Sequence, residues 1–347
     1  MVALLSTTVL ATIFVFGLLV MVHELGHFIS AKLVGMGVHE FAIGFGPKII
    51  SKKIGDTVYS LRLIPLGGFN KIAGMDPDEP QDEKSFQTKP IWARMLVIIS
   101  GSAMNFALPV LLFTMVFLTT GIDIPSNEPI MGTIMADKPA SRANFQPGDK
   151  IKTINGQNVD SWKNFVAIVQ DNAGNELTIV FERNGVAGKT TIKPEYDEKA
   201  NRGIIGVMPL IEHRQPGAIE SVTLAIKQTY MLAAAMLAGI VQMITGQAPA
   251  DVAGPIGVAQ MAGQVAQLGF IPLLQFAAFL SINLGLINLL PVPVLDGGHV
   301  VTLAIEAIRR KPLEKGSMQF IQMIGFSLLI LLMLLATFKD LTRLKLF

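Results

Sequence analysis

The first twenty-seven residues read MVALLSTTVLATIFVFGLLVMVHELGH, and the fold class turns on where that run stops being apolar. Residues 1–22 carry no charged side chain, a length that takes a helix across the roughly 30 Å hydrocarbon core of a bilayer. A cleaved leader would show a basic start and a small-x-small site after the apolar run, and neither precedes His23. The run reads as a retained span, with the polar cluster His23-Glu24-Leu25-Gly26-His27 following directly.

Outward from that segment, three more apolar runs approach or exceed span length: Met95–Thr120, Ile271–Val294 and Met323–Phe338. Composition agrees, since 51% of the 347 residues are hydrophobic, 16% are charged and mean hydropathy is +0.51. A net charge of +2 with two Trp and three Tyr gives no footing for nucleic acid. The chain has no cysteine, so any metal must be held by His, Asp or Glu. Between the first two runs, Val38–Ile50 with Gly44-Phe45-Gly46-Pro47, then Tyr59–Leu63 before Pro65-Leu66-Gly67-Gly68, predict a membrane-associated β-hairpin over about 38–68. Residues 124–212 differ in character. Pro147-Gly148-Asp149, Asn155-Gly156, Asn172-Ala173-Gly174 and Arg183-Asn184-Gly185 punctuate short strands, as in a small soluble domain, mainly β.

Basic residues set the orientation. Loop 31–94 carries nine, among them Lys48, Lys52, Lys53 and Lys84, and loop 305–320 carries Arg309, Arg310, Lys311 and Lys315. Both loops belong in the cytoplasm by the positive-inside rule, so an even number of crossings separates them. Val222–Ile244 is apolar enough to span but holds Lys227, Gln228, Thr229 and Gln242, and parity makes it an amphipathic helix at the interface. The expected plan is four spans, about 2–22, 95–120, 271–294 and 321–338. They divide into a first core part (1–123), the inserted domain (124–212), interfacial helices (213–264) and a second core part (265–347). Lys339, Arg343 and Lys345 stand against that orientation, because it puts the C-terminal tail outside.

His23-Glu24-Leu25-Gly26-His27 is H-E-x-x-H. Four residues apart on a helix, the two imidazoles project from one face about 6 Å apart along the axis and suit two corners of a tetrahedral zinc. Glu24 points about 100° away, out of ligand range but able to reach a water on the metal as general base. The extension that places a glycine and a third histidine just downstream is absent, because those positions hold Ser30 and Leu33. Asp296 is the better third ligand, in Asn288-Leu289-Leu290-Pro291-Val292-Pro293-Val294-Leu295-Asp296-Gly297-Gly298. An aspartate closing an apolar span is costly unless paired or metal-bound. The prolines end the helix, and the glycines admit close backbone approach.

H-E-x-x-H in a first span with N-x-x-P-x-P-x-L-D-G-G in a later one resembles the site-2 protease family of intramembrane zinc metalloproteases, in particular its bacterial regulator-of-sigma-E protease type. The likeness extends to Gly44–Pro47, Ile64–Gly68, Gly254-Pro255-Ile256-Gly257, Asn283 and a single PDZ-like insertion marked by Pro147–Ile151 and Ile154–Gly156. One departure is that Gly101-Ser102-Ala103-Met104-Asn105 stands where the family often has Gly-Pro before an Asn. The resemblance implies a polytopic α-helical membrane protein with an inserted α+β PDZ-like domain, in a bacterial plasma membrane. The insertion would be extracytoplasmic and the zinc site toward the cytoplasm. It also implies one Zn²⁺ held by His23, His27 and Asp296, Glu24 as the catalytic base, and Asn288 and Asn283 facing substrate. Its substrates would be single-span membrane proteins, such as anti-sigma factors or signal-peptide remnants, with peptide termini as further partners at the insertion. That domain could recruit substrates or filter them by size. The competing functions are a non-proteolytic adaptor or chaperone working through the PDZ-like domain, and a transporter. The transporter lacks an internal repeat in the sequence.

Overall fold

The computed structural model describes residues 2–76, 79–198, 201–247, 253–311 and 315–343. The chain divides into two compact units, Met1–Thr119 with Gly217–Phe347, and Thr120–Pro216.

In the first unit, α1 (Val2–Leu33) runs on for ten residues beyond His23, so H-E-x-x-H lies inside a helix and not at its end. Nothing in that stretch breaks it; Gly26 is its one weak helix former after Gly17. Strands β1 (Val38–Ile54) and β2 (Thr57–Ile72) form the expected hairpin, longer than the sequence indicated. It bends so that Phe41 is partnered by both Asn70 and Tyr59, which sets Val38–Ile43 between two stretches of β2. Gly68–Ile72 is then an outer row of the sheet, beside α1. Helix α2 (Ile91–Thr120) starts after Pro90 and carries Pro109 within it.

The inserted unit contains β3 (Ile122–Pro125), β4 (Met131–Ile134), α3 (Pro139–Arg142), β5 (Lys150–Ile154), β6 (Gln157–Asn158) and α4 (Trp162–Asp171). After these come β7 (Leu177–Arg183), β8 (Val186–Ile192), β9 (Glu195–Asp197), β10 (Arg202–Ile204), β11 (Val207–Pro209) and β12 (Ile211–Arg214). Its main sheet has the order β6-β5-β7-β8, all antiparallel. The turn residues read from sequence close its hairpins. Asn155 and Gly156 hold φ of 51° and 82°, and Asn184 and Gly185 hold 52° and 80°, the double left-handed pair that a two-residue hairpin requires. Met131, Ile151, Ile154, Phe165, Leu177 and Ile179 form its core. Fully buried Asp149 is held by both nitrogens of Arg183 at 2.7 Å.

The chain returns to the first unit through α5 (Ala218–Ile244), α6 (Pro255–Leu268), α7 (Phe270–Leu289), α8 (Asp296–Arg309) and α9 (Lys315–Arg343). Among the described residues, five helices are long and apolar enough to cross a membrane: Ser6–Leu33, Ile91–Thr120, Ala218–Met243, Phe270–Leu289 and Met318–Thr342. The third falls on the segment that loop charge assigns to the interface. Ser221, Ala225 and Thr229 face the protein, while Ile226, Tyr230, Leu237 and Val241 are exposed, so the outward face is mostly apolar with Lys227 on it. Two helices, α5 and α6, lie between the insertion and α7. Helix α6, at 14 residues, is only about 21 Å long. Lys345 lies outside the described residues.

Small side chains set how closely these helices pack, as is usual where lipid replaces water. Ala11, Ala225, Ala262, Ala277 and Ala278 are buried among Val15, Leu19, Leu112, Val116 and Ile282. Helix α6 is tied to α9 by a buried carboxylate. Asp340 accepts the main-chain N–H groups of Gly254 at 3.0 Å and Gly257 at 2.9 Å, the free donors of a helix start. A Cβ on Gly254 would stand 2.5 Å from Asp340 Oδ2, and one on Gly257 2.7 Å from Oδ1, so Gly-Pro-Ile-Gly is the shape of this cap. Asp340→Ala strands both donors. We expect it to lower thermal stability in detergent by about 1–3 kcal/mol, with Asp340→Asn, which keeps one acceptor, falling between. Equal melting of all three proteins would rule the cap out.

Candidate metal centre

Helical spacing puts His23 and His27 one turn apart on α1, with their Nε2 atoms 3.2 Å from each other. The rings meet edge to face at 4.8 Å between centroids. Asp296, the first residue of α8, brings Oδ2 to 3.5 Å from His23 Nε2 and Oδ1 to 3.5 Å from His27 Nε2. It gets there because Pro291 and Pro293 end α7 at Leu289 and the chain doubles back. A Cβ on Gly297 would lie 2.2 Å from the Leu290 carbonyl, as the pair of glycines foretold. Val294 in that loop is held at φ 82°, a left-handed conformation that costs a β-branched residue roughly 1–3 kcal/mol.

This triangle fits zinc. A tetrahedral ion with ligands at about 2.0–2.1 Å separates them by about 3.3–3.4 Å; here the two Nε2 atoms are 3.2 Å apart, and each lies 3.5 Å from one of the two carboxylate oxygens of Asp296. The side chains are 10, 11 and 14% exposed. Two imidazoles and a carboxylate packed this close in an apolar interior repel or starve one another of solvation unless a cation joins them. Among the described residues no other group of three or more His, Asp or Glu converges in this way.

Helix α2 holds the triangle from behind. His27 Nδ1–H donates to the Val97 carbonyl at 2.7 Å, Ser102 Oγ donates to Asp296 Oδ2 at 3.2 Å, and the Asn105 amide lies 3.0 Å from His23 Nδ1. Gly101 makes room, since a Cβ there would fall 2.3 Å from His27 Nε2 and 2.9 Å from His23 Cε1. In front is a cleft of about 300 Å³ lined by Glu24, Phe69, Asn70, Asn288, Leu295 and His299, among others. Glu24 does not join the triangle. Its carboxylate accepts the Asn70 amide at 2.8 Å, and its main-chain carbonyl accepts the same nitrogen at 2.6 Å.

Of the residues picked from sequence, His23, Glu24, His27, Asp296 and Asn288 meet at this cleft, the Asn288 amide 3.5 Å from His23 Nε2. Asn283, five residues earlier and about 140° round α7, is half-buried and does not line it. His299 lines the cleft without entering the triangle, and burial pulls its imidazole below the ordinary pKa. Asn70, Gly101, Ser102 and Asn105 went unassigned in the sequence. The last three recur at one and four residues along α2, a polar stripe in an apolar helix that would have pointed to them.

The sequence model of Peptidase family M50 matches residues 11–332. The regulator of sigma-W protease RasP of Bacillus subtilis is 34% identical, with 97% of this chain and 99% of that protein covered. The zinc metalloprotease RasP of Bacillus licheniformis is 35% identical at the same coverage. A Clostridium acetobutylicum protein that carries a zinc metalloprotease name is 37% identical over 96% of each chain. The PDZ domain of an SdrC-like protein from Listeria monocytogenes, a solved structure, covers 25% of this chain and 90% of its own, at 22% identity and TM-score 0.21.

Gly101→Ala should weaken zinc binding by about 10–100-fold, because its methyl group displaces both ligand rings. Gly239→Ala, with nothing within 4 Å, is the inert control. Chelator competition on the purified proteins measures both, and equal affinities would contradict the packing described.

Proposed function

Because the chain belongs to peptidase family M50, we propose that it hydrolyses peptide bonds of membrane-spanning substrates at one zinc ion per chain, held by His23, His27 and Asp296. The protein is a multi-pass membrane metalloprotease. The observation that carries the site assignment is the triangle of 3.2–3.5 Å sides opening on a cleft that also holds Glu24. Zinc bound there supplies Lewis acidity, polarising the scissile carbonyl and making water acidic enough to attack it. Glu24 takes the proton from the attacking water and passes it to the leaving amine. Asn70 engages Oε2 of that carboxylate and leaves Oε1 to receive the proton. Asn288 faces the cleft, where its amide can donate to the oxyanion as the carbonyl is attacked.

A substrate helix hides its amides in i→i−4 bonds and must unwind before attack. Unwound backbone needs new partners, and the outer row Gly68–Ile72 offers them beside Glu24, with Phe69 and Asn70 in the cleft wall. The inserted unit, read as PDZ-like, carries an apolar groove of about 340 Å³ between α4 and Ile204–Met208 that suits an extended peptide or chain terminus of a single-span substrate. The adaptor reading is weaker. A structural zinc takes four protein ligands, and three converge here, which leaves a position for chemistry.

The test pairs wild type with Glu24→Gln on single-span substrates in detergent. We expect zinc to be retained in both and cleavage to fall at least about 10²–10⁴-fold in the variant, the worth of a positioned base. Cleavage at the wild-type rate by Glu24→Gln would refute the assignment. Orientation is tested separately. The chain has no cysteine, so Glu83→Cys and Lys189→Cys are unique labels on exposed residues. An impermeant maleimide should label position 189 in intact cells and position 83 only after permeabilisation; the reverse pattern would invert the assigned topology.

A further inference from the structure

Helix α2 gives no ligand to the triangle, yet it touches all three candidates. Two of those contacts have one chemical reading. The Val97 carbonyl can only accept, so His27 carries its proton on Nδ1 and turns the Nε2 lone pair toward the triangle. Ser102 Oγ donates to the Asp296 carboxylate.

The third contact has two readings, because an amide oxygen and nitrogen are alike in shape. With Asn105 Nδ2 toward His23 Nδ1 at 3.0 Å, the ring nitrogen accepts, and the imidazole proton sits on Nε2, inside the triangle. A ring in that tautomer cannot ligate through Nε2. That orientation also leaves Asn105 Oδ1 without a hydrogen-bond partner, on a residue with no exposed surface. With Oδ1 toward the ring, Nδ1–H has an acceptor and Nε2 is free for a metal. An acceptor on Nδ1–H from the α2 face repeats the arrangement of His27 on Val97.

We propose that Asn105 is the positioning residue for His23: its amide oxygen accepts Nδ1–H and fixes the ring in the tautomer that ligates through Nε2. This rests on the reading of His23 as a ligand. Helix α2 then orients each ligand through a different group, a main-chain carbonyl, a hydroxyl and a side-chain amide. The Gly101-Ser102-Ala103-Met104-Asn105 stretch, set apart in the sequence as a departure, becomes the backing of the metal centre.

The test is zinc affinity of the full-length, zinc-stripped chain in detergent, measured by chelator competition with zinc alone as the probe. Asn105→Leu removes the acceptor at similar volume, and we expect binding about 10–100-fold weaker. Asn105→Asp offers only acceptor atoms, and we expect affinity at or above wild type. The metal-free thermal midpoint of the Leu variant separates the two effects: a midpoint equal to wild type assigns the lost affinity to the ring and not to a folding defect. If it is lower, the Asp variant alone decides. Wild-type affinity in Asn105→Leu, or a loss in Asn105→Asp as large as in Asn105→Leu, would overturn the proposal. A separate arm guards the premise: His23→Ala binding zinc as wild type does would sink the ligand assignment itself.

Discussion

Two imidazoles and a carboxylate are buried at one point in a bundle whose other contacts are almost all apolar, and most of the remaining architecture answers to that. Each group would cost several kcal/mol there if left without a partner. The arrangement is feasible because α1 and α2 approach very closely. Gly26 of α1 lies against the Ser100 carbonyl, where a Cβ would fall at 2.3 Å, and Gly101 of α2 lies against both histidine rings. Small residues at a helix crossing are the usual route to such contact in a membrane. Here the contact brings polar groups of α2 to the rear of each ligand while the front stays open.

The same constraint explains why the third candidate ligand comes from a broken helix. An aspartate inside α7 would project from a regular face. By ending α7 at Leu289 and starting α8 at Asp296, the chain aims the carboxylate back toward α1. The turn needs Val294 in an unfavourable backbone conformation, and it is backed by the buried Arg94–Glu306 pair at 3.0 Å, which ties the start of α2 to α8. On the other side, the hairpin brings the Asn70 side chain to Glu24, the proposed general base. Under the proposed function, the row offered to an unwound substrate also positions the carboxylate assigned to act on it.

Much of this was legible in the sequence, for identifiable reasons. H-E-x-x-H is a local pattern, and helical geometry fixes where its side chains point. The Pro-x-Pro and Gly-Gly around Asp296 constrain the backbone strongly, as do Asn155-Gly156 and Asn184-Gly185. The groups that stayed hidden depend on partners far along the chain: Asn70 with Glu24, Asn105 with His23, and Asp340 with Gly254 and Gly257. For Asn70 and Asp340 nothing local signals the partner, and for Asn105 the stripe along α2 marks a face without naming the ring it meets. Segment 222–244, read from loop charge as interfacial, forms a helix with the length and apolarity of a span. The short helix α6 follows it before α7, and loop charge alone does not say which of the two meets lipid on both sides.

Everything above depends on these three side chains holding zinc together, and zinc K-edge absorption spectroscopy of the purified chain asks that question at the metal itself. One zinc per chain is expected, with nitrogen and oxygen neighbours at about 2.0–2.1 Å, two of them imidazoles. His27→Ala and Asp296→Ala should each remove or rearrange that shell. A zinc shell unchanged by either substitution would contradict the assignment.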